Sequence, residues 1–220
     1  LEHPPGSPGG GGANALAGTA IMVGIASLFS IPIGVLGGVG LAEYGHGRLA
    51  GWIRLACDVL VGTPSIAIGL FGYALFVAPF HHFSAFAASL ALSVLMLPVV
   101  MRTTESAVAL IPGGLREAGL ALGLPRWRVS LQLVLPAAAP GVITGALLAI
   151  ARASGETAPL LFTTLGNRFF NLDPTKQMSS LPLLDFHDAL TPYDHLNQTA
   201  WGAPLALPVS VLNSTLARRF

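Results

Sequence analysis

Two charges, Arg152 and Glu156, stand four residues apart beside a long uncharged run. On a helix that spacing puts both on one face. A guanidinium in such a place can receive an oxyanion through two parallel N–H donors. It can equally serve to neutralise the nearby carboxylate, and the sequence leaves both readings open. Arg102 raises the same question at the end of another apolar run, where a long side chain can instead reach toward headgroups. Other reactive residue types are poorly placed for chemistry. Ser154 has no Gly-x-Ser-x-Gly setting for a nucleophile. Cys57 is the single cysteine, which excludes an internal disulfide and argues against redox chemistry. His81-His82, and the trio Asp185, His187 and Asp188, are too sparse to read as a metal site. The chain lacks a Gly-x-x-x-x-Gly-Lys-Ser/Thr phosphate loop, and its single lysine is Lys176. The chain thus shows no backbone loop of the kind that cradles a nucleotide's phosphates. With no converging acid, base or metal set, the chemistry expected is binding and passage, not catalysis.

The elements that must hold these charges follow from composition. The 220 residues are 53% hydrophobic and 10% charged, where a soluble domain carries about 25% charged residues. The net charge of +1 gives no reason to expect a nucleic-acid partner. No Asp, Glu, Lys or Arg occurs from His3 to Ala42, Val59 to Met101, Val129 to Ala151 or His195 to Ala217. A membrane-crossing helix needs roughly 20 mostly apolar residues. We read five spans, at about 14–41, 59–78, 84–101, 137–161 and 200–217. Leu1 to Gly12, rich in Pro and Gly, reads as flexible, so 1–13 is expected to be an extracytoplasmic segment.

Eight of the eleven Lys and Arg residues (Arg48, Arg54, Arg102, Arg116, Arg126, Arg128, Arg218 and Arg219) fall on one set of connections. The other set holds only Arg168 and Lys176. Basic loops face the cytoplasm. The chain then starts outside and ends inside, with loop 105–135 and tail 218–220 cytoplasmic and loop 163–199 extracytoplasmic. Gly34 and Gly38, like Gly141 and Gly145, have the spacing that lets helix backbones approach closely in lipid. Pro32 and Pro98 are candidate kinks.

Loop 105–135 carries the most specific pattern. Pro112-Gly113-Gly114 breaks the chain, Leu115–Leu122 reads as a short amphipathic helix, Gly123 can cap it, and Pro125 can open the next helix. Such an element either lies on lipid headgroups or docks into a groove of a partner. Glu117-Ala118-Gly119, three residues, Gly123, nine residues, then Leu133-Val134-Leu135-Pro136 resembles the E-A-A loop of ABC importer permeases. Gly119 stands for the second Ala and Leu133 for the Ile of that pattern. Ala151 to Leu160 (Ala-Arg-Ala-Ser-Gly-Glu-Thr-Ala-Pro-Leu) resembles the PstA-type phosphate permeases, as do Gly62-Thr63-Pro64-Ser65 and Leu97 to Glu105. Sulfate and molybdate permeases look similar around Gly155-Glu156 but continue with Phe-Gly.

The resemblance runs from about residue 14 to residue 217. It implies an all-α polytopic transmembrane bundle of the ABC importer permease type, filling 14–217. Such permeases have six spans, so five here implies that the usual first span is missing. It further implies a permease subunit that moves inorganic phosphate by alternating access in the bacterial inner membrane. Its expected partners are a PstC-type second permease, a PstB-type ATPase dimer and an extracytoplasmic PstS-type phosphate-binding protein. The chain itself is expected to bind no cofactor, with ATP and magnesium on the ATPase. Arg116, Glu117, Ala118, Gly119, Gly123 and Pro125 would form the coupling element, and Arg152, Glu156 and Arg102 the substrate path. The alternatives are a permease for sulfate or molybdate and an ion-coupled secondary transporter.

Overall fold

The computed structural model describes residues 13–167 and 170–190. All regular structure among them is helical. The elements are α1 (Ala13–Tyr44), α2 (Arg48–Gly62), α3 (Ser65–Gly72, continued by a π-helical turn Tyr73–Val77), α4 (Ala85–Ala109) and α5 (Gly113–Ala121). They continue with α6 (Arg126–Arg128, running into a π-helical segment Val129–Val134), α7 (Leu135–Ser154), α8 (Ala158–Thr163) and α9 (Leu181–Ala189). Ala13–Tyr44, Ala85–Ala109 and the continuous stretch Arg126–Ser154 are each long and apolar enough to cross a membrane. The broken pair α2 and α3 meets the same test when taken together. Leu28, Leu36, Leu49, Trp52 and Leu148 are each more than half exposed. Such an apolar surface suits lipid and not water.

Several expected boundaries are corrected. The run 59–78 is not one helix: α2 ends at Gly62, and Thr63 takes φ −73° and ψ 135°. Pro64 causes this, because the residue before a proline is pushed out of the helical region. The span expected at 137–161 instead begins at Arg126 and ends at Ser154, where Gly155 follows. The helix expected at 84–101 continues to Ala109, so Arg102 lies within α4 and not at its end. Pro32, Pro98 and Pro140 sit inside helices that continue past them. The span expected at 200–217, with Arg168, Asp194, Arg218 and Arg219, lies outside the described residues.

The described residues form two compact units, 13–26, 64–92 and 151–190 in one, and 27–63 and 93–150 in the other. In the first, Gly69 of α3 lies against Phe162 and Pro159, and Gly72 against Ala91. The connection before α9 is stitched in place: the Ala85 and Phe86 amides donate to the Lys176 and Pro174 carbonyls at 2.9 and 2.8 Å. Thr19 Oγ1 accepts from the Leu181 amide at 3.0 Å.

In the second unit α4 is packed on both sides by small residues. A Cβ on Gly34 would lie 2.8 Å from Val100 Cβ, and one on Gly38 would lie 2.5 Å from the Met101 carbonyl oxygen. On α7, a Cβ on Gly141 would lie 2.7 Å from Ala107 Cβ, and one on Gly145 would collide with the Thr103 hydroxyl. Both glycine pairs thus act as contact surfaces for α4, because the missing side chains let the backbones close. Val39, Val108, Val129, Val134, Ala138 and Val142 fill the core beside them.

Candidate functional site

α7 is apolar up to Ile150 and ends with Arg152 in its last turn. The Gly155 and Glu156 amides donate to the Arg152 and Ala153 carbonyls at 3.1 and 3.3 Å, so the chain tightens there into a turn. Arg152 and Glu156 therefore meet across a helix end, not along one helix face as the spacing suggested. Arg152 Nε lies 3.6 Å from Glu156 Oε1. That is an ion pair, but it is longer than a good charge-assisted hydrogen bond.

Arg102 is held differently. Its Nη1 donates to Glu105 Oε2 at 2.7 Å and its Nε to Asp58 Oδ1 at 3.0 Å. Glu105 also accepts from Arg54 Nε at 2.6 Å, and Arg54 Nη2 donates to the Leu41 carbonyl in the last turn of α1 and the Gly45 carbonyl just past it. Arg102 is thus one strut of a four-charge network joining α2 and α4. Arg102 and Arg152 lie in different units, and each has its own carboxylate partners. Asp58, Glu105 and Arg54 were not singled out from the sequence. Only the i,i+3 spacing of Arg102 and Glu105 was legible there.

The loop after α4 folds from its turn chemistry. Pro112 precedes α5 in an extended conformation. Gly123 takes φ +81°, the Gly123 amide donates to the Leu120 carbonyl at 2.9 Å, and the Leu124 amide to the Gly119 carbonyl at 3.2 Å. This is the paired bonding of a glycine-terminated helix. Pro125 is extended again and leads into α6. Glu117, Ala118, Gly123 and Pro125 face outward, whereas Gly119 is buried. A Cβ on Gly119 would meet Leu133 at 2.7 Å and Val129 at 2.9 Å, so this glycine lets α5 seat on the π-helical segment. Leu120, Leu122 and Trp127 add exposed apolar surface, with the Arg128 guanidinium 5.2 Å from the Trp127 ring. Arg116, by contrast, turns inward: its Nη2 lies 2.7 Å from Glu43 Oε1.

A profile of the family described as the binding-protein-dependent transport system inner membrane component matches residues 30–215. The chain belongs to this family. Family members of high similarity include the phosphate transport system permease protein PstA of Yersinia pestis, 44% identical over 96% of this chain and 72% of that protein. PstA of Pasteurella multocida is 44% identical over 100% of this chain and 80% of the relative. PstA 1 of Mycobacterium tuberculosis is 42% identical over 94% of this chain and 68% of its own length. Among solved structures, a chain of the MetNI methionine ABC transporter in inward-facing conformations superposes with a TM-score of 0.64 at 18% identity. The match covers 92% of this chain and 94% of that one, and it is a likeness of fold. The family is one of transport permeases, and its membership accords with the apolar helices.

One further acid of this family member departs from ordinary behaviour, outside the apolar helices. Asp185 on α9 buries a carboxylate oxygen that has no hydrogen-bond partner among the described residues. Burial, then the neighbouring Asp188 carboxylate, raise its pKa to about 6. The folded state therefore holds a proton that the unfolded state, with a carboxyl near about 3.9, has already released. Stability is expected to fall as pH rises from about 4 to about 6 and to stay lower above that. Thermal unfolding of the detergent-solubilised chain should show this drop, and Asp185→Asn should remove it and raise the midpoint at pH 8. An unchanged pH profile in the Asn variant would assign the drop to other groups. Among the described residues, no three His, Cys, Asp or Glu side chains gather as a metal site would require.

Proposed function

We propose that this chain is the permease subunit of an ATP-driven importer that moves inorganic phosphate across the bacterial inner membrane by alternating access. The observation that carries this reading is identity of 44% to a PstA permease over 96% of the chain. The geometry of Arg152 supports it. A guanidinium whose carboxylate neighbour stands 3.6 Å away keeps N–H donors for an incoming oxyanion. Arg102, bonded to both Asp58 and Glu105, is the weaker contact and reaches phosphate only if that network opens. Glu156 holds Arg152 between passages.

The outward face of α5 and its turn, made by Glu117, Ala118, Gly123 and Pro125, is the cytoplasmic seat of an ATPase dimer of the PstB type. Gly119 sets the height of α5, and Arg116 fastens it. ATP with magnesium binds to that dimer, because this chain has no phosphate loop. A PstC-type permease completes the path, and a PstS-type binding protein delivers phosphate to the outer mouth near loop 163–199. The domain reading is a transmembrane domain over 14–217 with coupling loop 105–135; of the expected outer segment 1–13 and tail 218–220, all but Ala13 lies outside the described residues.

The test is uptake of radiolabelled phosphate by cells whose own high-affinity system is deleted and which carry the assembled transporter. Uptake is expected to need ATP and to be unaffected by excess sulfate or molybdate. Strong competition by either anion would reassign the substrate, and uptake that persists without the ATPase subunit would point to an ion-coupled carrier.

A further inference from the structure

We propose that Arg116 and Glu43 form an internal clasp that transmits movement of α5 to three spanning helices at once, so that Arg116 is a positioning residue for transport and not a contact to the ATPase. The proposal rests on the importer reading and refines how its coupling element works.

The observations are geometric. Arg116 leaves the first turns of α5 and points away from the outward face that carries Glu117 and Ala118. Its Nε donates to Glu43 Oε1 at 2.8 Å, near the end of α1. Its Nη1 donates to the Ile111 carbonyl at 2.6 Å, in the turn just after α4, and its Nη2 to the Val108 carbonyl at 3.0 Å, in the last turn of α4. The second carboxylate oxygen of Glu43 lies 3.3 Å from Ser130 Oγ, whose one proton it shares with the Arg126 carbonyl at 3.0 Å, in the segment that runs without interruption into α7. Glu43 is 11% and Arg116 25% exposed at the side chain. One guanidinium and one carboxylate thus tie together α5, the ends of α1 and α4, and the start of the α7 stretch.

Physical reasons make this arrangement transmit force. α5 has nine residues, and a helix of that length is not stable by itself in water. A push on it would simply rotate or melt it unless it were fastened. The Val108 carbonyl, which already accepts the Ile111 amide at 3.2 Å, and the Ile111 carbonyl in the turn that follows both have a lone pair to spare, and a planar fork can use both while holding a carboxylate. Lysine cannot do the same, since its ammonium is a point donor on a flexible stem. The bonds are charge-assisted and largely withdrawn from water, so they resist shear better than exposed pairs.

The test uses the complete transporter in proteoliposomes and reads phosphate moved per ATP hydrolysed. Two variants are compared with the unaltered complex, Arg116→Lys and the double variant Glu43→Gln with Arg116→Met. The double variant leaves no buried charge unpaired, so a purely structural role for the pair predicts that it transports like the unaltered complex. The clasp predicts otherwise: both variants keep the ATPase subunit bound, and the transport-to-hydrolysis ratio falls by about tenfold, the effect of losing roughly one charge-assisted bond from the moving linkage. A ratio unchanged in both variants overturns the proposal. So does loss of the ATPase subunit from both, which would make Arg116 a direct contact to it. Absence of ATP-driven uptake in the unaltered complex overturns the importer reading itself, and the clasp with it, before any variant is read.

Discussion

Replacing Arg152 with Gln is expected to lower phosphate uptake by about 10- to 100-fold while assembly stays intact, because a charge-assisted bond to an anion contributes about 1.5–3 kcal/mol. The argument comes from comparing ion pairs. Arg54, Arg102 and Arg116 each hold a carboxylate at 2.6–2.7 Å. Arg152 alone among these arginines stands 3.6 Å from its acid. Its donors are the least committed of the four, at the end of an apolar helix where a charge is costly and serves a purpose. The Lys variant keeps the charge but loses the planar fork, so its uptake is expected to fall between the two. Uptake is measured in cells lacking their own phosphate importers, with transporter level checked by immunoblot and co-purification. Normal uptake by a normally assembled Gln variant would reduce Arg152 to a structural partner of Glu156.

Gly123→Val is expected to have an effect of similar size on coupling. Gly123 sits at φ +81°, a region that costs an ordinary L-residue about 1–2 kcal/mol and a β-branched one more. Valine would either carry that strain or flip the turn, which breaks the Leu124 to Gly119 bond and shifts Pro125 away from the exposed face. Either way the surface offered to the ATPase changes shape. We expect recovery of the ATPase subunit with the permease, and uptake, to fall by about tenfold or more, since one turn's misalignment costs at least the about 1.4 kcal/mol that a factor of ten represents. Asn tolerates this conformation better, so Gly123→Asn should retain most of both. Equal behaviour of Val and Asn variants would mean that the turn is not part of the coupling surface.

How legible this protein was in its sequence depended on distance along the chain. The cap at Gly123 was readable because the residues that make it lie within five positions of one another. The Arg152–Glu156 pair was readable too, although the helix end at Ser154 between them was not: a glycine in a membrane helix is common and does not by itself announce a stop. The break at Thr63-Pro64 was within reach, since proline removes a donor and restricts its neighbour, but the surrounding apolar run masked it. The partners of Arg102, Arg54 and Arg116 were not readable. Glu43 and Arg116 stand 73 positions apart, and Arg54 and Glu105 stand 51 apart. No local pattern distinguishes these acids from others near helix ends.

By itself, the sequence determined that this is a helical membrane protein with a short capped helix in the Glu117–Pro136 pattern and an Arg–Glu pair beside an apolar run. Those features follow from composition, period and turn chemistry, which act over a few neighbouring residues, whereas a docking role for the loop is what the family resemblance implies. Only the tertiary structure decided that Arg54, Arg102 and Arg116 hold their carboxylates closely while Arg152 stands farther from its own, and that Arg116 faces inward instead of outward. The partners of Arg54, Arg102 and Arg116 depend on which helix ends the glycine faces of α1 and α7 bring against α4, whereas the spacing of Arg152 from Glu156 is set by the turn that follows Ser154. A charge in an apolar protein pairs with whatever acid or carbonyl that packing delivers, because leaving it unpaired would cost more than almost any rearrangement.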